Sequence, residues 1–232
     1  MKRFYKEAGA AQAEDGWRVM LDGRPIRTAA GAAQVVPSRP LAEALAAEWA
    51  AQGEKIDAAT LPLRDLADYA IDVIAPGRAA AIAALLTYAE TDTLCYRADP
   101  DEPLYRRQIE VWEPLLKGVE QAYGISLERV SGIIHRMQPE TSLAHLHEVL
   151  DGHDSFTLAA LSTLTSLAAS LCVGLAAIRP GADAAALWAA ANLEEDWQAE
   201  LWGKDSEAEA RRARRFAAFG QAIRLVELIR RS

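Results

Sequence analysis

The chain has 232 residues; 51% are hydrophobic but only 7% are aromatic, so alanine supplies much of the apolar content. This length can bury a core, as one large domain or two smaller ones. The formal net charge of −8 argues against a general nucleic-acid binder, which would carry a basic surface. No apolar stretch follows the basic start MKRFYK, so we expect no signal peptide and a cytoplasmic protein.

The first 36 residues are predicted to form β structure. The stretch WRVMLDGRPIRT alternates apolar and polar residues on both sides of Asp22-Gly23. Asp-Gly between two alternating runs is a strong signal for a β-hairpin with a two-residue turn. The stretch AQVVP, residues 33–37, predicts one more short strand.

Two helices are predicted after this β region. The first carries Leu41, Leu45 and Trp49 at intervals of four residues, and the second begins near Pro62. The stretch APG at 75–77 is the best candidate for a domain boundary. The sequence therefore predicts a two-domain α+β protein, with strands and two helices in residues 1–76 and an all-α helical bundle in residues 77–232.

The second half is predicted to be helical almost throughout, with a kink or a restart at Pro114. The stretch 125–135 is ambiguous and could be extended, whereas single helices are expected over 154–178 and 182–202. Residues 155–178 carry no charge and are long enough to span a bilayer. Their seven Ser and Thr hydroxyls, and the absence of a second such segment, favour the centre of a helical bundle instead.

Motifs of the common enzyme classes are missing from the sequence. There is no GxxxxGK[ST], HExxH or GxSxG, and no Cys or His pair has the spacing of metal ligands. We therefore expect no metal, no cofactor and no small-molecule substrate. One enzymatic alternative stays open at Asp92, Cys95 and Arg97, because a thiol near a cation can become a nucleophile. The alternative to that hypothesis is a capped helix end, built by Asp92 and its neighbouring threonines.

The stretch LEEDWQAELW, residues 193–202, places three consecutive acids between tryptophans. On a helix Glu194 shares a face with Trp197 and Leu201, whereas Glu195 lies between Trp188 and Trp202. A carboxylate on an apolar face needs a partner, because burying it unpaired costs several kcal/mol. That partner could be Arg211 or Arg215 of the last helix, or the acids and tryptophans could form a docking surface for another protein.

The charge balance differs between the last two stretches of the chain. Residues 140–203 contain one basic and nine acidic side chains, whereas residues 204–232 contain eight basic and four acidic ones. Neighbouring helices of opposite charge are expected to pair with each other. The basic run at 211–215 is therefore interpreted as an intramolecular match rather than an RNA-binding surface.

Several stretches together resemble the assembly chaperones of the F-type ATP synthase catalytic head. The matching stretches, in the family's order, are RFYK, LDGRPIRT, VPSRPLAEALAAEW with AQGEKI, LPLRDLADYAID, YAETDTLCYRAD, QIEVWEPLL, QP at 138–139 and LEEDWQAELWG. Each is weak alone, but the ordered set is specific. Two departures stand out: the family often has Met-Pro-Leu-Thr at 61–64 and Gly-Ser at 169–170, where this chain has Leu-Pro-Leu-Arg and Ala-Ser.

The resemblance implies a bacterial, non-enzymatic chaperone. Such a protein holds the unassembled alpha subunit soluble until the beta subunit takes over the same surface. The resemblance also implies that Glu194 matters for activity, and we predict a partner-binding surface formed by Glu194, Trp197, Gln198 and Trp202. The expected partner is the free alpha subunit, with no nucleic acid and no insertion into a membrane.

Overall fold

The computed structural model of the chain describes residues 1–132, 136–203 and 206–231. It confirms the α+β class, with short strands near the N-terminus followed by many helices. The chain forms two compact units. Unit 1 contains residues 1–78, 155–160 and 221–232, and unit 2 contains residues 79–154 and 161–220.

Unit 1 begins with an antiparallel sheet in the order β1-β2-β3. The strands are β1 (Ala8–Ala13), β2 (Gly16–Leu21) and β3 (Arg24–Pro25). Asp22 and Gly23 both have positive φ, 47° and 75°, as a two-residue type I′ hairpin requires. The predicted hairpin is therefore confirmed.

The strand predicted at 33–37 is wrong, because this segment makes only isolated bridges, such as Val36 with Trp17. Side chains from the following helical segment occupy the polar groups of the loop before it. Asp68 accepts hydrogen bonds from Ala29 N and from the Gln34 amide, and Asp72 accepts one from the Thr28 hydroxyl. These carboxylates hold the chain as a loop rather than as a fourth strand.

The two helices predicted in unit 1 are present. Helix α1 (Arg39–Ala50) starts at the cap residue Ser38, whose hydroxyl accepts from Leu41 N. Helix α2 (Pro62–Tyr69) continues into a π-helical turn at Ala70–Ile74, which the sequence did not predict. The Glu48 carboxylate of α1 accepts hydrogen bonds from the first free N–H groups of α2, and thereby ties the two helices together.

The remaining elements follow in chain order. They are α3 (Arg78–Glu90), a 3₁₀ turn (Thr93–Cys95), β4 (Tyr96–Arg97), α4 (Pro103–Tyr123), β5 (Val130–Ser131), α5 (Glu140–Asp151), α6 (Ser155–Ala168), α7 (Leu171–Ala177), α8 (Ala184–Ala191), α9 (Leu193–Trp202) and α10 (Ser206–Arg230). Helix α4 runs through Pro114 without a restart. The ambiguous stretch 125–135 contributes β5, which pairs in parallel with β4, and its residues 133–135 lie outside the described ranges.

The single helix predicted over 154–178 is in fact two helices, α6 and α7. The break falls at Ala169, which has a left-handed φ of 49°. Ser170 then caps α7 by accepting from Val173 N, and its hydroxyl donates to the buried Asp92 carboxylate. In the part of the chain that is described, no single helix has both the length and the apolarity to cross a membrane, although the bent pair Pro62–Ile74 and Arg78–Cys95 does jointly.

The helix predicted over 182–202 is also broken, at Asn192 between α8 and α9. The Asn192 side chain donates to the Trp188 carbonyl at 2.8 Å and closes the end of α8. Helix α8 buries Leu187, Trp188 and Ala190, whereas Leu193 is the only buried residue of α9. The apolar stripe expected from 187 to 201 therefore does not continue straight through both helices.

Candidate functional site

Helix α9 carries four acidic side chains, and arginines pair with three of them. Asp196 forms a bidentate ion pair with Arg212 of α10. Glu195 Oε1 lies 3.9 Å from Arg215 Nη1 of the same helix. Glu200 accepts two hydrogen bonds from Arg107 of α4, at 2.6 and 2.9 Å. Two of the four acids of α9 therefore pair with arginines of α10, as the charge balance predicts, and a third pairs with α4.

Glu194 is the exception among these acids. Pairing with Arg211 or Arg215 was one of the two alternatives for Glu194, the other being a docking surface, but neither arginine pairs with it in the described part of the chain. Instead its Oε1 accepts a hydrogen bond of 2.7 Å from the side-chain amide of Gln108 on α4. Within residues 1–132, 136–203 and 206–231, Glu194 forms no ion pair. The arginine alternative is wrong because the break at Asn192 turns this face of α9 toward α4.

Gln108 is fully buried and bonded at both ends of its amide. Its Nε2 donates to Glu194, and its Oε1 accepts from Ala98 N at 2.9 Å. One turn later, the equally buried Trp112 donates its indole N–H to the Ala190 carbonyl at 2.8 Å. Helix α4 thus fixes the position of α8 through Trp112 and the position of Glu194 through Gln108.

The Glu194 carboxylate is partly desolvated. Loss of water raises its pKa above the ordinary value for glutamate, and the hydrogen bond from Gln108 lowers it only in part. The side chain still keeps an exposed face. Glu194 is therefore a half-covered carboxylate that another molecule can reach.

The four residues predicted for the partner-binding surface lie on two faces of α9. Glu194 and Trp197 are directed toward α4, where the Arg107 guanidinium lies 5.7 Å from the centre of the Trp197 ring. Gln198 and Trp202 line a groove between α9 and α10. The surface predicted as one patch therefore wraps around the helix.

The groove between α9 and α10 has a volume of about 630 Å³. We call it the α9–α10 groove; its lining residues are Trp188, Glu195, Asp196, Gln198, Ala199, Trp202, Gly203, Ala208, Glu209, Arg212, Ala213 and Phe216. Trp188 packs 5.9 Å from Phe216, ring centre to ring centre, and places an aromatic wall in the groove. Glu195, Trp188 and Trp202 all line this groove.

Large apolar side chains are open to solvent around α9. Trp202 is 79% exposed, Leu201 is 59% exposed, and Phe216 on α10 is 38% exposed. Exposed apolar patches rimmed by polar residues are typical of protein–protein contact sites. The rim of this patch is acidic on balance, since Glu195, Asp196 and Glu209 line the groove with one arginine.

The enzymatic alternative at residues 92–97 receives no support from the geometry. Burial raises the pKa of the Cys95 thiol to about 12, so the thiolate needed for nucleophilic attack is not formed near neutral pH. Asp92 is fully buried and accepts hydrogen bonds from Leu94 N and Cys172 N. Arg97 is paired with Glu113 at 2.7 Å. These residues join helices, as the capping interpretation of the sequence expects.

No role was predicted from the sequence for two residues that contact or surround α9. Gln108 lies in the stretch QIEVWEPLL, and its position four residues before a tryptophan on an apolar face was a usable signal. Phe216 directly follows the basic run 211–215 of α10, and no role was inferred for it. Among the described residues, no group of three His, Cys, Asp or Glu side chains could hold a metal ion.

Comparison with known proteins points in one direction. A family model described as ATP12 chaperone protein matches residues 2–120. Two structures of Atp12 from Paracoccus denitrificans, one of them a point mutant, are 40% identical to this chain with a TM-score of 0.94, over 99% of this chain and 98% of theirs. The Atu1473 protein of Agrobacterium tumefaciens, described as a chaperone candidate, is 38% identical with a TM-score of 0.93, over 97% of this chain and 85% of its own.

Proposed function

The chain belongs to the ATP12 chaperone family, which serves ATP synthase assembly, and we propose that it binds the unassembled alpha subunit and prevents its aggregation until the beta subunit replaces it. The proposed place of action is the bacterial cytoplasm. The resemblance of the sequence motifs supports the choice of the alpha subunit.

The observation that carries the proposal is the exposed apolar surface around α9. A ring subunit that lacks its neighbour exposes a large apolar interface, which makes it prone to aggregation. A chaperone for such a subunit needs an apolar surface of its own. The α9–α10 groove, with Trp202 and Phe216 at its edge, supplies one.

The proposed contact residues are Glu194, Trp197, Gln198 and Trp202. Trp202 is the most exposed of the tryptophans named here and contributes the largest apolar area. Gln198 lines the same groove, and Glu194 supplies a carboxylate on the adjacent face. Aromatic side chains beside a placed charge are typical of the few residues that dominate binding energy at interfaces.

The release step follows from competition. The beta subunit displaces a chaperone from the shared surface when its own affinity for that surface is higher. Exchange therefore requires that the chaperone bind this surface more weakly than the beta subunit does. The proposed cycle therefore needs no ATP hydrolysis by the chaperone.

The proposal is tested by the aggregation of purified alpha subunit, followed by light scattering. The wild-type chain is expected to suppress scattering at near-equimolar ratio. Glu194→Lys is expected to abolish suppression while its melting temperature stays within a few degrees of wild type. Glu110→Lys is the matched control, since Glu110 is an exposed acid on α4, and it should suppress scattering normally. Failure of the wild-type chain to suppress scattering would contradict the proposal.

A further inference from the structure

Glu194 differs from the other acids of α9 in its counter-charge. Glu195 and Asp196, which share the first turn with it, pair with Arg215 and Arg212 of α10. The positive end of the helix dipole favours all three acids of the first turn alike. The dipole therefore does not explain why Glu194 alone among them lacks a cation in the described part of the chain.

Arg107, the neighbour of Gln108 on α4, is already engaged with other partners. Arg107 of α4 forms a bidentate ion pair with Glu200 and lies over the Trp197 ring. Moving it to Glu194 would leave Glu200 without its partner and would break the contact with Trp197. The arginine that contacts α9 from α4 is thus committed to Glu200 and Trp197 rather than to Glu194.

Gln108 holds the uncompensated carboxylate in place. Its amide is fixed by Ala98 N on one side and reaches Glu194 Oε1 on the other, and the whole side chain is buried. A neutral donor satisfies one carboxylate oxygen without cancelling the negative charge. A partly desolvated charge in this position gains more from an incoming cation than an exposed one, because water screens it less.

We propose that Glu194 receives an arginine or lysine side chain of the client protein, and that Gln108 is the positioning residue that holds the carboxylate ready for it. This inference rests on the proposed function and adds the chemistry of the recognised segment. Leu201, which is 59% exposed, lies two turns along the same face of α9. The client segment that binds here therefore presents a basic side chain and an apolar side chain about 10 Å apart, the distance between Glu194 and Leu201 along α9.

The test is the affinity of wild-type and variant chains for the purified alpha subunit, measured over a range of NaCl concentrations. Glu194→Gln removes the charge but retains an oxygen that accepts from Gln108, so the fold is preserved. We expect its Kd to rise about tenfold or more at low salt. The difference is expected to shrink to about twofold in 0.5 M NaCl, where charges are screened. Glu110→Gln, with the same charge change on α4, should bind like the wild type.

A double-mutant cycle tests the role of Gln108. Gln108→Met is expected to weaken binding in the wild-type background but to add little in the Glu194→Gln background, because Gln108 acts through Glu194. Equal losses in both backgrounds would show that Gln108 acts independently of Glu194 and would rule out its positioning role. Melting temperatures of all variants identify any that fail to fold, and the single Glu194→Gln variant still decides the main point.

The possible results separate this inference from the function on which it rests. If the wild-type chain binds the alpha subunit and Glu194→Gln binds equally well or better at every salt concentration, the cation site does not exist. If the loss is present but does not depend on salt, the carboxylate accepts a neutral hydrogen bond and the inference is wrong. If the wild-type chain does not bind the alpha subunit at all, the proposed function fails and this inference fails with it.

Discussion

Replacing Trp202 with alanine should separate binding from folding. Trp202 is 79% exposed, so about a fifth of its surface, roughly 50 Å², is buried in the free protein. At about 25 cal/mol per Å², its removal costs folding about 1 kcal/mol. For a chain of this size that corresponds to a melting temperature lower by about 2–4 °C.

The same substitution should have a much larger effect on the client. The exposed part of the Trp202 ring becomes buried in the complex, and truncation of such an anchor typically costs 2 kcal/mol or more. The Kd for the purified alpha subunit should therefore rise about thirtyfold. Biolayer interferometry with immobilised alpha subunit measures the affinity, and circular dichroism follows the unfolding.

Phe4→Ala is the matched control for Trp202→Ala. Phe4 is an aromatic residue of unit 1 that is 65% exposed, so its removal is a comparable loss of exposed apolar surface outside the proposed contact residues. It should leave the Kd within about twofold of wild type, as expected for a residue outside the contact. Unchanged binding by Trp202→Ala, or an equal loss in both variants, would refute the assignment of the groove.

Three further predictions concern stability, each measured by thermal or urea unfolding. Ala169→Gly should stabilise the protein by about 1 kcal/mol, because glycine tolerates the positive φ at this position. The control Ala84→Gly, at an exposed position inside α3, should destabilise it by a similar amount. A loss of stability at both sites would show that the backbone of Ala169 is not strained. Asp92→Ala should destabilise it by about 3 kcal/mol or more, since it leaves buried donors without an acceptor, and an unaffected midpoint would contradict that role. Desolvation raises the pKa of Glu113, but hydrogen bonds from two arginines outweigh it and lower that pKa to about 2. The stabilising contribution of the Glu113 carboxylate is therefore present above about pH 4.3 and is lost as the pH falls toward 2. In Glu113→Gln, the free energy of unfolding should fall less steeply over this acidic range.

Local signals in the sequence predicted the regular parts of the fold. Asp22-Gly23 specified the hairpin, because few residue pairs adopt two positive φ angles in succession. The four-residue spacing of Leu41, Leu45 and Trp49 specified α1, and all three side chains are buried as expected. These features depend on residues that are neighbours in the chain, so a single sequence contains the information for them.

The breaks in the long helices depend on distant residues and were not predicted. Asp92, which caps the start of α7, is 80 positions away from Cys172. The position of Glu194 depends in the same way on Gln108, 86 positions earlier. Apolar periodicity continues across both breaks, so nothing local marks them. Only the family's glycine at the position of Ala169 gave a hint of the first break.

The central claim is that the surface of α9 shields an orphaned ATP synthase subunit. The most direct measurement is co-purification of the tagged chain with free alpha subunit and with free beta subunit, presented separately. The account predicts a stable complex with the alpha subunit that dissociates when the beta subunit is added, and no complex with the beta subunit alone. Retention of neither subunit, or of the beta subunit alone, would contradict it.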